Sequence, residues 1–137
     1  MADAGDVDEW WDRQLFDRIL LDAPCSGSGV VRRHPDILWL RRASDIAALA
    51  IIQQRLLARL WPLVRPGGRL LYCTCSVFRT EGAEQLQAFL AHNSDARQLA
   101  APGHLLPHGD GDLSDIADNG RCEHDGFYYA LLEKSGA

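Results

Sequence analysis

Two short apolar runs leave their strands through cysteine-bearing motifs, and the segment between them is periodic. Ile19-Leu20-Leu21 ends in DAPCSGSG (residues 22–29), and Leu70-Leu71-Tyr72 ends in Cys73-Thr74-Cys75-Ser76. Compact apolar runs bounded by Gly and Pro fit strands covered on both faces. Between them Ile46, Leu49, Ala50, Gln53, Leu56, Leu57 and Leu60 recur at steps of three and four. That is one face of a helix, opening with Ser44 or Asp45 as N-cap and stopping before Pro62. Strand, helix, strand restricts the chain to an open α/β sheet with helical crossovers. Ligands in such sheets lie beyond the carboxyl ends of the strands, where both motifs stand. If the two strands are neighbours, Cys25 and Cys75 face one cleft.

The rest of the chain keeps this rhythm. Pro66-Gly67-Gly68 reads as a turn launching a strand over 69–75, and a helix from Thr80 or Glu81 to about Ala91 carries Leu86, Phe89 and Leu90. A weaker strand covers 96–100 and a last one 127–133, while residues 103–125, rich in Gly, Asp and His, read as a long surface loop. A chain of 137 residues has room for one domain. Its net charge of -5 gives no global sign of a nucleic-acid partner, so RNA binding needs a local basic patch. The acidic start is no export signal, and no apolar run approaches the length of a membrane helix. The expectation is a soluble cytoplasmic protein, without a membrane partner, whose four cysteines are free thiols or metal ligands rather than disulfides.

Each motif residue has a plain and a chemical reading. A lone cysteine is often a buried small hydrophobe; a pair at two strand exits, where amide dipoles lower a thiol pKa, suits nucleophilic chemistry. Asp22 either caps the turn or bonds a polar ring edge. Pro24 stiffens the approach to Cys25 by restricting Ala23. Gly27 and Gly29 either form a plain loop or let a ligand come close.

DAPCSGSG followed by VRRHPDILW, then LVRPGGRLLYCTCSV, and DGFYYALLEK at the end resemble the bacterial RNA cytosine-5 methyltransferases, those acting on 16S ribosomal RNA most closely. The likeness covers nearly the whole chain, least between 91 and 121, and implies the C-terminal part of the catalytic domain over residues 1–137. The implied fold is a partial Rossmann-like class I sheet, with the first strands and the glycine-rich cofactor loop absent before Asp22. The implied reaction moves a methyl group from S-adenosylmethionine to C5 of a cytosine through a cysteine adduct. Cys75 matches the nucleophile that adds to C6, Cys25 the cysteine that assists release, and Asp22 the acid that holds the base edge. Asp3, Asp22 and Pro24 are the implied cofactor contacts. The family commonly has proline and asparagine where Arg79 and Gly82 stand here; Glu81 matches a family acid, with capping of the following helix as the structural alternative.

Further expectations follow. Arg32, Arg33 and His34 form a compact basic loop suited to RNA phosphates, with a solvated charge cluster as the alternative. Trp39 reads as a core or interface residue rather than a base platform. The isolated chain, short of half a cofactor site, is expected to be inactive. The strand over 18–22 loses its family neighbour and becomes an apolar edge, which predicts a homodimer or other covering association. Two rivals remain: a non-catalytic RNA- or nucleotide-binding fragment, and a structural zinc module using Cys73, Cys75, Cys122 and His124, whose one-residue cysteine gap fits zinc spacing poorly. The functional reading includes no metal.

Overall fold

The apolar face at three- and four-residue steps builds the longest helix of the computed structural model, which describes residues 3–107 and 124–136. In chain order the elements are α1 (Val7–Trp10), β1 (Phe16–Asp22), α2 (Ile37–Leu40), α3 (Ala43–Leu60), β2 (Val64–Thr74), α4 (Ala83–His92), β3 (Ala96–Leu105) and β4 (Phe127–Lys134). Helix α3 starts one residue before the expected caps. Asp45 is its third residue and accepts the Arg42 amide at 2.9 Å, the back-reaching half of a capping box.

The strands form one sheet in the order β1-β2-β4-β3. β1 and β2 are parallel, joined through α3; β2–β4 and β4–β3 are antiparallel. Pro66-Gly67-Gly68 lies inside β2 rather than before it. Between the pairs Phe16–Val64 and Arg18–Arg69 the ladder skips, so these residues bulge, with Gly67 at φ +73°. A second irregularity, between Leu99 and Gly103, carries β3 past the expected end at Ala100 to Leu105. The first three residues of the expected 103–125 loop are therefore strand, while 108–123, including Cys122, lie outside the described residues.

One face of the sheet holds the core. Leu21, Leu70, Tyr72, Ala130 and Leu132 pack against Leu56, Leu57 and Leu60 of α3 and Leu86 and Phe89 of α4. Trp61 meets Phe89 edge-on with ring centroids 5.4 Å apart. Burial of each such leucine contributes about 2 kcal/mol.

The opposite face corrects the expectation that β1 is covered on both sides. Leu21 is buried, but Leu20 is 67% exposed, because both long helices lie on the other face. Leu20, Leu71, Leu131 and Leu99 are successive cross-strand partners and form one row of leucines across that open face. β1 is one of the two edge strands of the described sheet, β3 the other.

Candidate active site at the exits of two parallel strands

Parallel pairing of β1 with β2 brings the DAPCSGSG loop beside the Thr-Cys-Ser segment. The ladder continues past the strands: the Ala23 amide donates to the Cys73 carbonyl and the Gly29 amide to the Cys75 carbonyl, each at 3.0 Å. Both glycines are required where they stand. Gly27 has φ +75°, and a Cβ at Gly29 would sit 1.9 Å from the Gly126 carbonyl oxygen. Backbone pairing therefore carries the two loops side by side past the strand ends.

The result is a thiol pair, Cys25 Sγ to Cys75 Sγ at 3.1 Å, both half-buried. Its two members are driven apart. The hydrogen bond from Cys25 lowers the Cys75 thiol from 9.0 to about 7, with burial opposing. The same bond, and then burial, pushes Cys25 upward. Once deprotonated, Cys75 accepts a hydrogen bond from the Cys25 thiol, so the pair can act as a nucleophile with an adjacent donor.

Cys73 is not a core residue of its strand. It lies half-buried on the open face with Sγ 3.7 Å from Asp22 Oδ1, and burial followed by the Asp22 charge raises its thiol to about 11. The exposed Asp22 carboxyl, at the end of β1, is thus close to the cysteine cluster. Asp3, Asp22 and Pro24 line one open pocket of about 340 Å³ together with Leu21, Ile52 and Leu56. Two carboxyls over an apolar wall suit the hydroxyl and amino groups and the ring of an adenosine moiety. One Asp3 oxygen already takes the Gly5 amide at 2.7 Å, leaving the other free for a ligand.

The basic loop is less available than its sequence indicates. Arg33 Nε lies 2.6 Å and Arg32 Nη2 3.6 Å from the nearly buried Asp125 carboxyl, so both anchor the segment entering β4. His34 is exposed. Trp39 is 88% exposed, which removes its core reading, and no residue of α2 is buried. Among the described residues no three His, Cys, Asp or Glu side chains form a metal-binding group; His124 Nδ1 instead meets the Asp125 carbonyl.

Sequence reasoning missed the polar cluster beneath the thiols. Glu81 is 0% exposed and accepts from Ser26, Ser76 and Gln53, so it does not cap α4. The signal was Gln53, the one polar member of the α3 apolar face. Gly82, where the family commonly has asparagine, has its own local cause: a Cβ there would lie 2.6 Å from His104 Cε1 and 2.8 Å from Tyr128 Cγ.

Comparison with known proteins places the chain in a family. A family model described as 16S rRNA methyltransferase RsmB/F matches residues 1–133. Ribosomal RNA small subunit methyltransferase B of Pseudomonas putida is 51% identical over 139 residues, covering 99% of this chain and 31% of its own. The crystal structure of PH0851 superposes with a TM-score of 0.81 at 33% identity, covering 97% of this chain and 30% of that one. A methyltransferase homologue from Pyrococcus horikoshii gives a TM-score of 0.70 at 28% identity, covering 97% of this chain and 43% of the other. The chain spans about 30% of the length of the curated relatives it matches.

Proposed function

Because the chain belongs to the 16S rRNA methyltransferase RsmB/F family and carries part of its Rossmann-like methyltransferase sheet, we propose that the whole protein methylates C5 of a cytosine in 16S ribosomal RNA through a Cys75 adduct. The observation that carries this reading is the asymmetric thiol pair, 3.1 Å apart at the exits of two parallel strands. A neutral cytosine is a weak nucleophile at C5, so a group must first add to the ring.

In this mechanism the Cys75 thiolate forms a bond to C6, and the displaced electron pair makes C5 electron-rich. S-adenosylmethionine, when bound, supplies the methyl group that C5 accepts. A solvent water takes the C5 proton, the electron pair of that C–H bond re-forms the C5–C6 double bond, the bond between sulfur and C6 breaks, and the thiolate is restored. The Cys25 thiol donates to that departing sulfur, stabilising its charge and assisting release. Asp22 holds the base edge, while Asp3, Asp22 and Pro24 line the adenosine side of the cofactor pocket. Arg32, Arg33 and His34 contribute to an RNA-facing edge whose positive charge is partly spent on Asp125.

The residues before β1 contain a single glycine, Gly5, and no glycine-rich loop. Asp3, Asp22 and Pro24 supply one side of that cofactor pocket. We assign the protein to the cytoplasm, where a ribosomal RNA substrate implied by the family is found. On its own the chain self-associates, covering Leu20 and the β1 edge with a second copy. The test of the reaction is RNA containing 5-fluorocytosine, whose C5 has no proton to lose. With this chain grafted in place of the matching part of the Pseudomonas putida relative, a covalent RNA complex is expected, and it disappears in Cys75→Ser. A complex that persists in Cys75→Ser overturns the nucleophile assignment.

A further inference from the structure

The two cysteines stand on separate loops, so something must hold those loops in register. The residue after each cysteine is a serine, and both serines turn inward to one carboxyl group. Glu81 Oε2 accepts from Ser26 Oγ at 2.6 Å and from Ser76 Oγ at 2.5 Å. Its Oε1 accepts from the Ser26 amide at 2.9 Å and from Gln53 Nε2 at 3.1 Å. Gln53 also donates to the Pro24 carbonyl at 2.9 Å, which ties the first loop to α3. The Glu81 carbonyl receives Tyr72 Oη at 2.8 Å and Thr74 Oγ1 at 3.4 Å, which ties Glu81 to β2.

We propose that Glu81 is the positioning residue of the site, the bracket that holds the Cys25 and Cys75 loops at bonding distance. Ordinary helix capping does not explain it. Glu81 receives no amide from α4, whose first turn is closed by the Leu86 amide on the Gly82 carbonyl. Serine neighbours on both loops converge on one fully buried carboxyl group, which adds a shared acceptor to the direct contacts of Ser28 Oγ with Ser76 Oγ and the Val77 amide, each at 3.0 Å. Each oxygen already serves two donors, so Glu81 reaches no substrate and acts only through the thiols it places. The catalytic meaning of that placement rests on the methyl-transfer reading; the placement itself does not.

Disulfide formation reads the placement with neither RNA nor cofactor present. Diamide takes two electrons and two protons from the thiols as it is reduced to its hydrazine, leaving one Cys25–Cys75 bond that peptide mass mapping detects. In the chain as it stands, Cys25–Cys75 is expected to form first. Glu81→Gln, which presents an amide N–H to donors that need an acceptor, is expected to slow that bond by about tenfold to a hundredfold, the penalty of misplacing reacting groups by about 1 Å. Ser76→Ala removes one arm alone and is expected to slow it severalfold, while Glu81→Asp restores part of the rate. Circular dichroism and the rate at which Cys73 is alkylated report whether the fold is kept. Wild-type disulfide rates in folded Glu81→Gln overturn the proposal; if Glu81→Gln does not fold, wild-type rates in Ser76→Ala overturn it. An absent RNA adduct together with slowed disulfide formation overturns the methyl-transfer reading and leaves the bracket standing.

Discussion

Replacing Cys25 by alanine removes the hydrogen bond that most lowers the Cys75 thiol. With that bond present Cys75 titrates at about 7 rather than 9.0; without it, the remaining effects of burial, Asp22 and Glu81 all raise the value, against one backbone hydrogen bond that lowers it. The sign is direct. A thiol is neutral below its pKa and a thiolate above it, so a lowered value places reactive sulfur at neutral pH. Removing the hydrogen bond is therefore expected to lower the Cys75 thiolate fraction at pH 7 by more than about tenfold. Alkylation by iodoacetamide, followed by peptide mass between pH 5 and 10, measures the midpoint for each cysteine. The native protein is expected to show a Cys75 midpoint near neutrality and Cys25→Ala a midpoint about two units higher. A Cys75 midpoint that stays near 7 in folded Cys25→Ala refutes the claim that the thiol pair activates its own nucleophile.

Gly82→Asn, which restores the side chain common in the family, should destabilise this chain by about 1–3 kcal/mol in urea titration, because its Cβ enters the space of His104 and Tyr128. Trimming His104 to alanine in the same chain should recover part of that loss. Leu20→Lys places a charge at the β1 end of the leucine row and should convert a self-associating species to a monomer in light scattering. A native chain that is monomeric at high concentration refutes the edge-covering association.

The parts of this molecule that were legible in sequence are those set by local periodicity. The α3 face, from Ile46 to Leu60, and the two strand exits follow from spacing, and parallel neighbours put Cys25 beside Cys75 without further information. Leu20 misled because an apolar run states that a strand is buried in some sheet, not which layers are present in this chain. Pro66-Gly67-Gly68 read as a turn because Gly and Pro mark bends, and a bulge within a paired strand uses the same residues. Glu81 stood out in sequence as matching a family acid, but its buried role escaped because its partners Ser26 and Gln53 are 55 and 28 residues away. Only a polar residue on an apolar helix face hinted at it. Arg32 and Arg33 read as free cations because their acid, Asp125, arrives from the far end of the chain.

The central claim is that Cys75 is the atom bonded to RNA and Cys25 its helper. Digestion of the complex trapped on 5-fluorocytosine RNA, followed by mass mapping of the nucleotide-bearing peptide, tests it directly. The account predicts the nucleotide on the peptide that carries Cys75, with Cys25 recovered as an unmodified thiol. A nucleotide on the peptide that carries Cys25 contradicts it.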